Sequence, residues 1–125
     1  MSTPIRILVA LPGVGMLLNA LGWMIRPEAT AKSLGMPLLD GLARSTQIGD
    51  LGSFFLTAGI TILLGVWKQE RIWLYCGAML LGATAVIRTL AWAAHGAELA
   101  TGFIIPEIVM LAIVLFGVSK TPERE

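Results

Sequence analysis

Four polar side chains interrupt long apolar stretches of this sequence, and they are of types that form ion pairs or move protons. They are Asn19, Asp50, Arg88 and Glu107. Arg88, in the run TAVIRTLAW, carries a planar fork of donors that can hold two carboxylates at once. Two carboxyl groups beside one arginine are expected to share a proton, and such a pair can supply an acid and a base. We therefore take Asp50, Arg88 and Glu107 as candidate catalytic residues.

The composition predicts that these residues lie in a membrane protein. The 125-residue chain is 56% hydrophobic and 14% charged, with a mean hydropathy of +0.81. A soluble domain is about a quarter charged, so this chain has too few polar residues to cover a water-soluble surface. We predict one integral membrane domain over residues 1–125, in contact with the lipid bilayer.

Several other classes of partner and site are not expected. The net charge of +1 gives no support for nucleic-acid binding. The chain has one histidine and one cysteine, Cys76, and neither a metal-binding spacing nor a phosphate-binding glycine loop. The sequence therefore predicts no metal, no cofactor and no disulfide.

The apolar stretches have the length of membrane-spanning helices, which need roughly 20 residues. Four segments qualify, at residues 5–25, 47–67, 72–92 and 102–118. Short connections join the last three, whereas the first connection is long, and SLGMPLLDGL within it suggests an amphipathic piece on the membrane surface. The predicted fold class is therefore all-α: an antiparallel up-down bundle of four transmembrane helices with a longer first loop.

The ends of these segments carry the residues that mark membrane boundaries and orientation. All four tryptophans, which favour the membrane interface, fall at predicted helix ends: Trp23, Trp67, Trp73 and Trp92. Basic residues are more frequent on the side of the two termini, with Arg6, Lys68, Arg71, Lys120 and Arg124 there against Arg26, Lys32 and Arg44 opposite. This bias predicts that both termini lie in the cytoplasm.

The four polar residues fall at one depth when each is placed on its helix. At a rise of 1.5 Å per residue, each lies roughly 5–9 Å below the non-cytoplasmic interface. An isolated charge in lipid costs roughly 2.5–3.5 kcal/mol, so we expect Asp50, Arg88 and Glu107 to meet inside the bundle. Helical spacing and position add candidate ligand-binding residues around them: Asn19, Phe54, Thr57, Thr84 and His95.

The same positions resemble a family of bacterial membrane proteins of similar length that carries only a domain-of-unknown-function label. The resemblance rests on the motifs IGDLGSFF, TAVIRTL, HG and IPEIV, and it covers residues 5–118. The chain departs from the family pattern at Ser53, where members have a second glycine. The resemblance implies four helices and a location in the inner membrane of a bacterium, and it implies no activity.

Three functions remain open on the sequence. The first is binding or transformation of a lipophilic small molecule by acid/base chemistry, as in an isomerase, an epoxide-opening hydrolase or a cyclase. The second is a structural or assembly subunit in which the charged residues only hold the helices in register. The third is a proton-coupled transporter built as a homo-oligomer, against which the lower half of the bundle offers little polar lining.

Overall fold

A computed structural model of the protein describes residues 1–124 and shows five helices. These are α1 (Thr3–Ile25), α2 (Pro27–Ser33), α3 (Gly41–Lys68), α4 (Arg71–His95) and α5 (Thr101–Lys120). The described part of the chain contains no strand. The predicted all-α bundle of four long helices is confirmed, and three of its helices extend beyond the predicted segments at both ends.

Local sequence explains where the long helices start and stop. Pro4 lies in the first turn of α1, where its missing N–H costs no hydrogen bond. Gln69 ends α3 in the left-handed conformation, with φ at 56°, and α4 begins two residues later. Gly96 ends α4 with φ at 70°, a conformation that favours glycine. The short turn at Gln69 makes α3 and α4 antiparallel neighbours.

Glycines let the helices approach closely. α1 packs against α3 and α5, and α4 packs against the same two helices. At Gly59 a Cβ would lie 2.8 Å from the backbone nitrogen of Leu17 and 2.9 Å from the carbonyl oxygen of Gly13. The α1–α3 contact is therefore a backbone-to-backbone contact, which is a common way for membrane helices to associate.

The four long helices are each long and apolar enough to cross a membrane. Large apolar side chains cover the outer surface of the bundle, among them Leu11 and Leu18 of α1 and Met79 of α4. Such a surface suits contact with lipid, because a water-soluble protein of this size rarely exposes so extensive an apolar patch. These features are those of an integral membrane protein.

The position of Trp23 differs from the interfacial location predicted for all four tryptophans. Its side chain is fully buried in the bundle core, next to Gly52 of α3, whereas Trp67 and Trp92 are exposed at helix ends. Trp23 lies on the face of α1 that packs against α3, which its position along α1 does not reveal.

The first connection also differs from the prediction. The surface helix is α2, which packs against α1, while residues 34–40 have no helical structure. The buried side chain of Gln47 holds this segment on α3, because it accepts a hydrogen bond from the Leu39 nitrogen at 2.9 Å and donates one to the Pro37 carbonyl at 3.0 Å. These backbone groups are satisfied by a side chain instead of by helical hydrogen bonds.

The N-terminus, the turn between α3 and α4 and the C-terminal segment lie at one end of the bundle and are tied together. The terminal amine donates to Gln69 Oε1 at 2.7 Å, and Arg6 donates to the Val66 carbonyl at 3.2 Å. Arg71 binds the carbonyl of Thr121 and the carboxylate of Glu123, each at 2.6 Å. The polar layer predicted from the sequence lies toward the opposite end.

Candidate functional site

An ion pair between Arg88 and Glu107 joins α4 to α5. Arg88 Nε donates to Glu107 Oε1 at 3.0 Å, and the side chains are 31% and 12% exposed, respectively. The guanidinium group also lies over the Phe103 ring, 4.9 Å from its centroid. Phe103 is one helical turn before Glu107, so one face of α5 supplies both contacts. The predicted contact between Arg88 and Glu107 is therefore present.

The seam between α3 and α4 places Asp50 at the level of Arg88. Lower in the bundle, Gly77 packs closely against Ile62 and lies beside Thr61 across this seam. Arg88 lies eleven residues beyond Gly77 on α4, and Asp50 lies eleven residues before Thr61 on the antiparallel α3. Eleven residues make about three helical turns, so both side chains return to the face they share with the lower contact. The common depth predicted for Asp50 and Arg88 agrees with this register.

Asp50 nevertheless makes no contact with Arg88, and the prediction that all three charged side chains meet is wrong for this residue. Asp50 is exposed and forms no ion pair or hydrogen bond with any residue in 1–124. The buried arc of α3 passes through Gln47, Gly52 and Phe55, and Asp50 lies beyond its edge. Depth along a helix follows from residue number, whereas side-chain direction depends on which arc the neighbouring helices cover.

The residues along the α3–α4 seam are buried low in the bundle and more exposed toward Asp50. Along one face of α3, Thr61 is buried, Thr57 is exposed, Phe54 is half-buried and Asp50 is exposed. On the facing side of α4, Gly77 and Leu81 are buried, while Arg88 is half-buried. We call this region the open seam; its borders are Asp50, Phe54, Thr57, Thr84 and Arg88.

Two of the predicted ligand-binding residues lie away from the open seam. Asn19 is half-buried, donates to the Gly15 carbonyl of its own helix at 3.2 Å, and lines a cleft between α1 and α2. His95 is the last residue of α4 and is exposed, about 10 Å along the helix axis from Arg88. Their predicted proximity to the charged residues rested on depth alone.

The predicted residues at the open seam are available to a ligand to different degrees. Thr57 is exposed, and Phe54 packs edge-to-face against Phe55 with ring centroids 5.1 Å apart. Thr84 is half-buried, and its hydroxyl donates to the Leu80 carbonyl at 2.8 Å, so its oxygen can still accept a hydrogen bond. These side chains form a mainly apolar border below the charged groups.

Three polar groups at this level have unused hydrogen-bonding capacity. The two terminal nitrogens of Arg88 donate to no acceptor within residues 1–124, and the Asp50 carboxylate accepts from no donor there. Glu107 Oε2 is buried and has no partner among the described residues either. Of the three, only the Glu107 oxygen is buried, so it alone belongs to the class of polar groups that native proteins rarely leave unpartnered.

The core directly below Arg88 is filled with side chains. Ala85 and Leu81, one and two turns down α4, are both buried.

Sequence reasoning missed two residues that shape this end of the molecule. Phe103 precedes Glu107 by four residues, so the sequence alone places both side chains on the same face of α5. Gln47 is the first residue of the predicted span 47–67. Its role in holding residues 36–39 depends on how the loop folds back onto α3, which no local sequence pattern encodes.

Neither a metal-binding cluster nor similarity to another protein identifies a function for this site. No cluster of three or more histidine, cysteine, aspartate or glutamate side chains able to hold a metal ion occurs in residues 1–124. No known protein family, curated protein or solved structure matches the chain. The resemblance to a bacterial membrane family therefore stays a prediction.

Proposed function

We propose that this integral membrane protein binds a lipophilic small molecule at the open seam between α3 and α4. The observation that carries the proposal is the change in burial along one face of α3, from buried Thr61 to exposed Asp50. At the upper end of this face, the Asp50 carboxylate lies at the same depth as Arg88, whose two terminal nitrogens donate to no residue of the described chain. A molecule entering from the bilayer would place its polar end between these groups and its apolar part beside Phe54 and Thr57.

The geometry supports binding better than acid/base turnover. Turnover by the proposed trio requires both carboxylates beside Arg88, and Asp50 does not contact it. The Glu107 carboxylate is held through one oxygen by Arg88 Nε, which keeps the guanidinium in place and leaves its outer edge for a ligand. Arg88 is thus a positioned donor, and Glu107 is the residue that positions it.

Obstruction of the open seam tests the binding proposal. In Thr57→Trp a large side chain replaces an exposed threonine at the border, and lipophilic molecules that co-purify with the full chain are measured by mass spectrometry. Leu11→Trp, at an exposed position of α1, is the matched control. We expect the tryptophan at position 57 to remove the bound molecule and the one at position 11 to leave it. Equal amounts in the two variants, or no bound molecule in the unmodified protein, would contradict the proposal.

A structural role is the second candidate, and it has its own observation. The ion pair of Arg88 and Glu107 links α4 to α5 above a filled core at Ala85. If this link is the whole purpose of the charged residues, Asp50→Asn should change neither stability nor bound molecules. Loss of a bound molecule in Asp50→Asn, with an unchanged unfolding midpoint in detergent, favours the binding function over the structural one.

We further propose that the protein resides in the inner membrane of a bacterium with both termini in the cytoplasm. The resemblance to a bacterial family supports the membrane, and the excess of basic residues at the end of the bundle that holds the termini, including Arg6, Lys68 and Arg71, supports the orientation. In this orientation the open seam faces the outer leaflet.

A further inference from the structure

We propose that residues 122–124 form a strap that is held across the α3–α4 turn by charge and detaches from it as the ionic strength rises, while α5 stays in place. Detachment uncovers the cleft between the strap and the turn. This conformational device lies at the end of the bundle that holds the termini, and it is independent of the proposed binding function.

Thr121 is the fixed point from which the strap starts. The residue is 1% exposed, and its hydroxyl donates to the Gly117 carbonyl at 2.7 Å. A residue that precedes a proline is restricted to extended backbone, and Thr121 accordingly has φ at −97° and ψ at 129°. The helix α5 therefore ends at Lys120, and the chain beyond Thr121 turns toward the α3–α4 connection.

Two opposite charges on the strap face two opposite charges beside the α3–α4 turn. Glu123 accepts a hydrogen bond from Arg71 at 2.6 Å, and the guanidinium of Arg124 lies 3.6 Å from the carboxylate of Glu70. Arg124 also donates to the carbonyl of Lys68 at 2.9 Å. Each side has one acid followed by one arginine, so both contacts bring opposite signs together, and this pairing fixes the position of the strap.

The turn side of these contacts is held independently of the strap. Arg71 Nε donates to the carbonyl of Thr121 at 2.6 Å, and Glu70 Oε2 accepts from the indole nitrogen of Trp73 at 3.0 Å. The side chains of Arg71 and Glu70 are 28% and 33% exposed, whereas the two charged side chains of the strap are 80% and 62% exposed. The turn therefore keeps its geometry when the strap leaves.

The strap has no apolar anchor of its own. Residues 122–124 are all exposed, and a cleft of about 440 Å³ lies between them and the turn. Exposed ion pairs contribute little to stability and are screened by salt. In contrast, Val114 and Val118 of α5 are buried in the bundle. Added salt should therefore loosen the strap without loosening α5, which is a local opening and not an unfolding of the bundle.

The test is ¹⁵N relaxation of the full-length protein in micelles of an uncharged detergent, at about 20 mM and about 500 mM sodium chloride. This change shortens the Debye length from about 20 Å to about 4 Å. We expect the backbone order parameters of Glu123 and Arg124 to fall from about 0.8 to below about 0.6, the range of flexible backbone. Residues 114–118 should stay near about 0.85 at both salt concentrations.

A matched pair of variants shows whether the ion pairs hold the strap. Glu123→Gln removes the charge that faces Arg71, so residues 123 and 124 should be flexible already at low salt and respond little to added salt. Glu98→Gln removes an exposed acid at the opposite end of the bundle and should leave the salt response unchanged.

The proposal fails if residues 123 and 124 are equally ordered at both salt concentrations, or already flexible at low salt in the unmodified protein. It fails as well if Glu123→Gln is as ordered as the unmodified protein at low salt. Simultaneous loosening of residues 114–118 would show that the end of α5 opens with the strap, which also overturns the inference.

Discussion

Arg88 illustrates how a membrane protein retains a charge within an apolar helix. Its guanidinium group bonds to Glu107 and lies against Phe103, and both partners come from α5. These contacts fix the direction of the two terminal nitrogens of Arg88, which donate to no acceptor in the described chain.

The ion pair should nevertheless contribute to stability, and removal of one partner measures this contribution. Glu107→Ala leaves the partly buried guanidinium without its carboxylate, so we expect a loss of about 1–3 kcal/mol in the free energy of unfolding. The measurement is equilibrium denaturation in detergent micelles. Glu98→Ala removes an exposed carboxylate elsewhere and should have no measurable effect; equal losses in both variants would show that the ion pair contributes nothing specific.

The identity of the cation at position 88 should matter as well as its charge. Arg88→Lys keeps one positive charge but lacks the planar fork and stacks less well on Phe103. We expect this variant to retain most of the stability of the ion pair and to lose the bound lipophile. If Arg88→Lys binds the lipophile as well as the native protein does, the free guanidinium edge is not the recognition element.

Among the helices, α3 connects the most features of the fold. One arc of it packs against α1, another closes the lower seam with α4, and its first turns hold the loop through Gln47. The same helix exposes Asp50, which lies just beyond the edge of its buried arc.

Substitution of glycines on α3 tests the close approach of α1. Gly59→Ala places a methyl group less than 3 Å from backbone atoms of α1, which cannot move independently of the helix. We expect destabilisation of about 1–3 kcal/mol from this overpacking. Gly49→Ala, at a position with no neighbouring atom within 4 Å, should be neutral or slightly stabilising, because alanine is the better helix former. A smaller effect at position 59 than at 49 would contradict the packing described here.

Gln47 provides a second prediction at the level of the helices and their connections. Gln47→Leu preserves the volume of the buried side chain but leaves the Leu39 nitrogen and the Pro37 carbonyl without their partners. We expect faster amide hydrogen exchange in residues 36–40, with a cost of about 1–3 kcal/mol to the local structure. Exchange in the lower parts of α3 and α4 should stay unchanged, and unaltered exchange in residues 36–40 would show that Gln47 does not hold the loop.

For the whole molecule, the antiparallel bundle places both termini at one end and the α4–α5 connection at the other. Single cysteines at Ser119 and Glu98, introduced in a Cys76→Ser background, report on the two ends in intact bacterial cells. With the proposed orientation, a membrane-impermeant maleimide should label position 98 and not position 119 until the cells are permeabilised. The opposite pattern would reverse the orientation and place the open seam in the inner leaflet.

Composition and periodicity were sufficient to predict the architecture. Four apolar stretches of bilayer length, the last three joined by short connections, leave an antiparallel bundle as the simplest arrangement, and the structure has that bundle. The common depth of Asp50 and Arg88 also followed from the sequence, because the rise per residue of a helix is constant. In each case the predicted property depends on position along one helix.

Only the tertiary structure decided the directions in which side chains point. A helix turns by about 100° per residue, so a small change in the arc that is covered by neighbours moves a side chain from the interior to the surface. That is why Glu107 meets Arg88 while Asp50, at the level of Arg88, remains exposed, and why Trp23 is buried while Trp92 is not. Contacts between helices set these arcs, and no single helix in the sequence encodes them.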